Sequence, residues 1–175
     1  MAGQVYTFER PERFVAGTVG EPGDRTFYLQ ATDESRTVSV ALEKTQVALL
    51  AERLVELLEE AQRRLGADTG DDPGDVDTAP LVVPVEEEFR VGSLSLAWDA
   101  DSSTVIVEAT AASEDEEAPE EELDSLRVRL TATETRAFVA RAVRVVAAGR
   151  PPCPLCGLPL EPGGHVCPRQ NGYRR

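Results

Sequence analysis

The sequence contains little cysteine and histidine, and both are concentrated at one end of the chain. It has three cysteines, all within residues 153–167, and a single histidine, His165. An odd number of crowded cysteines is a poor disulfide framework but a natural ligand set for a metal in a reducing compartment. If the one histidine binds that metal, neither a Ser-His-Asp triad nor a Cys-His pair can be assembled.

Long apolar runs and excess positive charge are also lacking. No apolar run approaches the roughly 20 residues that span a bilayer, and residues 1–6 show neither the basic nor the apolar part of a signal peptide. We therefore expect no membrane segment and a cytoplasmic location. The chain has 32 acidic and 18 basic residues, a net charge of -14, which makes nucleic acid a poor partner. An apolar fraction of 41% indicates a folded, soluble protein.

The first half, residues 1–66, is predicted to hold four short strands and one helix. Apolar residues alternate over residues 5–8, 14–19, 26–31 and 37–42. From Val47 to Leu65 the apolar period becomes helical, and Gly66 is expected to end the helix.

The second half, residues 81–150, repeats this order after an acidic Gly/Pro linker at residues 67–80, which we expect to be exposed. Apolar residues alternate as in strands over residues 89–92, 93–98, 104–109 and 126–130. A Thr131-x-x-Glu134 capping box then begins a helix that is expected to stop at Gly149. The carboxylate-rich loop 113–124 is expected to be mobile, and it could be either a solvated extension or a docking strip for a basic partner.

The two halves resemble one another. Residues 38–42 with their helix align with residues 126–130 and theirs, which places Arg53 over Arg141. This pattern predicts an internal duplication of a strand-strand-strand-helix unit, although any two strand-then-helix units of equal period align as well. Either origin predicts an α+β fold with antiparallel sheets and one long helix per half; a small zinc knuckle is expected after the second half.

Residues 151–175 contain the most specific motif. Cys153 and Cys156 form Cys-Pro-x-Cys-Gly, and His165 and Cys167 lie close after them, so one tetrahedral zinc with four protein ligands is expected. His165 and Cys167 are separated by one residue only, so they could fail to bind together if that stretch is extended. Zinc could then activate water, with Glu161 as the nearest general base.

Two groups of arginines are weaker candidates for binding sites. Arg10, Arg13 and Arg25 lie close in sequence and could form an anion pocket, although surface arginines are common. The basic end of the chain could bind a phosphate, an acidic surface or the protein's own acidic loops, and it could equally be a solvated tail. Its candidate contact residues are Arg169, Tyr173 and Arg174.

Several segments together resemble an actinobacterial domain family of unknown function. They are Arg10-Pro11, residues 13–20, 25–30 and 39–44, and above all the ending from Pro151 to Arg175. The resemblance covers essentially the whole chain. It implies a high-GC Gram-positive source and suggests a genomic setting beside a phosphatase-like and a kinase-like protein, but it implies no activity.

The sequence supports two main hypotheses of function. The first is a non-catalytic zinc-bearing interaction protein whose tail meets a protein partner. The alternative is a zinc-dependent hydrolase or phosphate-processing enzyme, with an open metal position and Arg25 or Arg169 as an anion clamp. A nucleic-acid-binding zinc ribbon is disfavoured by the charge.

Overall fold

The computed structural model describes residues 3–148 except positions 22, 35, 71 and 116. The predicted zinc knuckle and Gly149 lie outside these residues. The elements, in chain order, are β1 Val5–Phe8, β2 Arg13–Glu21, β3 Asp24–Thr32, β4 Thr37–Leu42, α1 Lys44–Leu65, β5 Glu87–Asp99, β6 Thr104–Ala111, a 3₁₀ turn Glu120–Glu122, β7 Ser125–Thr131 and α2 Ala132–Ala147.

The seven strands form one sheet in the order β1-β7-β6-β5-β4-β3-β2. The prediction of an α+β fold is confirmed. The prediction of purely antiparallel sheets is wrong, because β1 pairs with β7 and β4 pairs with β5 in parallel. A parallel pair requires a long crossover connection, and α1 with residues 66–86 supplies one between β4 and β5.

The sheet is strongly curled. Its two edge strands, β1 and β2, are joined by residues 9–12 alone, so the end of β1 and the start of β2 can be at most about 18 Å apart. In a flat seven-stranded sheet the edges would be about 29 Å apart. The sheet therefore bends into a partly open barrel, and α2 packs against strands at both sides of the opening, β2 and β7.

The helices form where the sequence predicts them. The apolar stripe of α1 is buried from Val47 to Ala61, and Gly66 ends the helix with φ of 65°, a conformation that glycine adopts without strain. At the start of α2, the Glu134 backbone N–H donates to Thr131 Oγ1 at 3.1 Å, and the Thr131 N–H donates to Glu134 Oε1 at 2.8 Å. The predicted capping box is confirmed.

Strand pairing in the two halves shows the same pattern. In the first half, Phe14 pairs with Ala31, which pairs with Val38. In the second, Leu94 pairs with Ala109, which pairs with Leu126. Since Val38 and Leu126 are also matched in the sequence alignment, Phe14 and Leu94 occupy equivalent positions in β2 and β5.

The segment after α1 is less exposed than the sequence predicts. Thr69 is buried, and the Arg136 guanidinium of α2 donates to its carbonyl and hydroxyl oxygens. Farther on, Leu81 is buried against Gly17 of β2, where an added Cβ would come within 2.5 Å of the leucine side chain. Thr69 thus lies against α2 and Leu81 against the sheet, which shows that single contacts can hold a segment that has no apolar period.

The acidic segment between β6 and β7 contacts the start of the chain. The Gly3 N–H donates to the Glu121 carbonyl, and the Gln4 N–H donates to Asp124 Oδ1 at 2.8 Å. These hydrogen bonds lie next to the first pair of the β1–β7 ladder, Val5 and Ser125.

Candidate functional site

Two seams between a helix and a strand are equivalent in the two halves: α2 against β2 and α1 against β5. The α2–β2 seam is filled. The rings of Phe14 and Phe138 stack with their centroids 4.8 Å apart, and both side chains are buried. The cavity beside them measures only about 110 Å³.

Arg141 ties this seam together. It is 7% exposed, and its Nε donates to the Ala16 carbonyl of β2 at 2.8 Å. Its Nη1 donates to Asp77 Oδ1 and to the carbonyls of Asp77 and Ala79. Burial lowers the pKa of Arg141, the nearby charge of Arg13 lowers it further, and the Asp77 carboxylate opposes both effects. A buried guanidinium with this many acceptors joins helix, strand and linker.

Asp77 is shared by two arginines. Arg13 donates from Nε to Asp77 Oδ2 at 2.5 Å and from Nη2 to Oδ1 at 3.1 Å, a bidentate pair. The hydrogen bond from Arg13 is the largest influence on the pKa of Asp77 and holds it below its usual value. The acidic linker therefore supplies the carboxylate that pairs with both arginines of the seam.

The α1–β5 seam is open. It contains a groove of about 360 Å³ with an apolar floor and charged rim. A smaller hollow of about 240 Å³ shares Leu57 and Glu60 with it and reaches Trp98, the only tryptophan of the chain. The groove residues are Leu49, Leu50, Arg53, Glu56, Leu57, Glu60, Leu94 and Leu96.

The residues that line this groove are equivalent to those that fill the α2–β2 seam. Leu50 and Leu94 stand where the other half has Phe138 and Phe14, and Arg53 stands where it has Arg141. The side chain of Arg53 is 61% exposed and pairs with Glu56 of the same helix at 3.1 Å. We call the residues around this opening the α1–β5 groove.

The predicted arginine cluster near the N-terminus is divided by the fold. Arg13 pairs with Thr32 at one end of the β2–β3 hairpin, and Arg25 pairs with Gly20 at the other, a separation of about 23 Å. Arg25 donates to the Ala148 carbonyl at the end of α2 at 2.5 Å and lies over the Phe27 ring. Arg10 is exposed. These three side chains do not converge on one site.

The predicted zinc ligands and the candidate contact residues of the basic end all lie outside the described residues. Within residues 3–148, apart from the four positions not described, no three His, Cys, Asp or Glu side chains are grouped to hold a metal ion. No helix in that part of the chain is both long and apolar enough to cross a membrane.

The sequence pointed to neither seam. Arg141 carried one usable signal, because an arginine in the same helical stripe as Phe138 and Ala142 faces the core and needs buried acceptors there. Asp77 carried none, since nothing in a run of Asp, Gly, Pro and Thr distinguishes the one carboxylate that pairs.

Comparison with protein-family models matches residues 6–167 to the family described as "Protein of unknown function (DUF3090)". Neither the curated proteins nor the solved structures yield a match.

Proposed function

We propose that this chain, which belongs to the DUF3090 family, is a zinc-bearing interaction protein. Its sheet and two helices serve as a rigid scaffold, and residues 151–175 bind one zinc ion and contact a protein partner. The supporting pattern is Cys153 and Cys156 with the later pair His165 and Cys167, a set of four ligands suited to a tetrahedral structural ion.

Arg13 and Arg25 favour a scaffold over a phosphate-processing site. An anion clamp needs guanidinium groups directed at the ligand. In the fold, Arg13 is committed to Asp77 and the Ala79 carbonyl, and Arg25 to the end of α2. Both arginines therefore stabilise the scaffold.

Arg129 serves the scaffold in the same way. It donates to Glu9 at 2.8 Å and to Asp99 at 2.7 Å, and so joins the β1–β2 connection to the β5–β6 turn. The hydrogen bond from Arg129 is the main reason that the pKa of Asp99 is lowered.

Metal content of the purified full-length chain, measured by mass spectrometry, tests this function. We expect one zinc per chain, and a sharp fall in occupancy when Ala replaces Cys153, Cys156, His165 or Cys167. The matched control is Glu161→Gln, which alters a carboxylate between the ligand pairs and should retain zinc. The far-ultraviolet circular dichroism from the sheet and the two helices should be largely kept when zinc is removed.

A chain with no bound metal would refute the proposed zinc site. Zinc retained in the His165→Ala or Cys167→Ala variant would indicate an open position and favour hydrolase chemistry instead.

A second experiment tests the partner. Proteins captured by the wild-type chain should be lost when Arg169, Tyr173 and Arg174 are all replaced by Ala.

We also infer that the two halves arose by duplication and that the protein works in the cytoplasm. The equivalent registers of Phe14 and Leu94 support the duplication. A reducing compartment suits a site that needs three free thiolates.

A further inference from the structure

For each seam, the relevant chain segment is the one that follows the helix of the other seam. After α1, the chain runs along α2 and closes the α2–β2 seam. Thr69 accepts from Arg136, and Asp77 and Ala79 then accept from Arg141. After α2, the chain continues as residues 149–175, and the α1–β5 groove occupies the equivalent position.

We propose that the chain's own segment 149–175 docks in the α1–β5 groove and closes it, with Glu161 paired to Arg53. The contact is made by residues 157–164, which lie between the two pairs of zinc ligands. This inference rests on the proposed function in one respect, because zinc shapes the segment that docks.

The position and length of the segment fit this occupant. Ala148 is held by Arg25 at the end of α2, and Val143 and Val146 near that end share a hollow with Ala48 and Glu52 in the first half of α1. From Ala148 the chain reaches Glu161 in 13 steps, up to about 43 Å, whereas the whole of α1 is about 33 Å long.

The linker provides a close internal precedent for this spacing. Asp77 lies 12 residues after Leu65, the last residue of α1, and Glu161 lies 14 residues after Ala147, the last residue of α2. Glu161 is the only carboxylate side chain among residues 149–175. Arg53 is the helix residue that matches Arg141, so a carboxylate there repeats the pairing of the closed seam.

Side-chain chemistry also matches. Leu158 and Leu160 come shortly before Glu161 in the sequence and suit the leucine floor of the groove, which loses water-exposed apolar surface when it is covered. The rim carries the exposed guanidinium of Arg53, and residues 157–164 carry the carboxylate of Glu161. The proposed contact therefore combines an apolar floor with one pair of opposite charges.

Trp98 gives a direct readout, since it is the only tryptophan and lies in the hollow that adjoins the groove. Acrylamide quenching of its fluorescence is measured on the full-length chain. Leu160→Asp should lower the ratio of docked to undocked chains by about ten- to a hundredfold, because a buried leucine is lost, and quenching should rise. The control Gln170→Asp adds the same charge outside residues 157–164 and should leave quenching unchanged.

Charge reversal then tests the pairing. Arg53→Glu and Glu161→Arg should each reduce docking by about two- to fivefold, and the double variant should recover it, because the pair is re-formed with opposite signs. Arg63→Glu, on the same helix but outside the groove, should have no effect. Recovery in the double variant cannot come from misfolding, so this cycle stays informative if a single variant is damaged.

Quenching that responds to none of these changes would overturn the docking. A chain that is dimeric on size exclusion and becomes monomeric in Leu49→Asp would also overturn it, since a second copy would then be the occupant. The proposed zinc site is judged separately: quenching that responds in a chain without zinc supports docking while the zinc site fails, and bound zinc with unresponsive quenching supports the reverse.

Discussion

The α2–β2 seam and the α1–β5 seam occupy the same position in the two halves, but the space between helix and strand is filled in the first and open in the second. In the first, two stacked phenylalanines and a buried arginine leave a cavity of about 110 Å³. In the second, leucines and an exposed arginine leave a groove of about 360 Å³. The same arrangement of helix and strand is therefore packed as core in one place and left as an open groove in the other, and the linker contacts the packed one through Thr69, Asp77 and Ala79.

The largest expected difference between the seams is the effect of removing their arginines. Arg141→Met should cost about 2–4 kcal/mol of unfolding free energy, because the carbonyls of Ala16 and Asp77 lose the hydrogen bonds of Arg141, while the Asp77 carboxylate keeps only Arg13. Arg53→Met, at the equivalent exposed position, should change it by about 0.5 kcal/mol or less. Urea unfolding of both variants measures the two losses of unfolding free energy. Equal losses would show that the two arginines contribute equally to stability.

A smaller effect should come from Asp77 and should depend on pH. Its pKa is lowered in the fold, so its contribution to stability is complete above the unfolded value of about 3.9 and is lost as pH falls through the folded value. The contribution should be about 1 kcal/mol, since the side chain is 35% exposed and partly screened.

Urea unfolding of the wild type and of Asp77→Asn, carried out between pH 6 and pH 3, measures this. The wild type should lose more stability than the variant on acidification. If the two curves run parallel, Asp77 does not hold the seam through its charge.

The elements of the fold could be predicted because each has a local cause. Alternation gave the strands, the apolar stripe gave α1, Gly66 ended it, and the Thr131–Glu134 box began α2. The parallel pairs could not be predicted, because the alternation of β4 and β5 is compatible with either direction of pairing.

The seams could be predicted only in part. The position of Arg141 in the apolar stripe of α2 is a usable signal for internal acceptors, but the choice of Asp77 depends on the path of a linker without apolar periodicity. The expected cluster of Arg13 with Arg25 failed for a related reason, since residues close in sequence lie at opposite ends of a hairpin.

The most direct test of a zinc-bearing segment that closes the α1–β5 groove is the accessibility of Trp98 in the full-length chain before and after zinc is removed with a chelator. We expect greater acrylamide quenching after removal, with the far-ultraviolet dichroism from the sheet and the two helices largely unchanged. Zinc that leaves without any change in Trp98 quenching would contradict it.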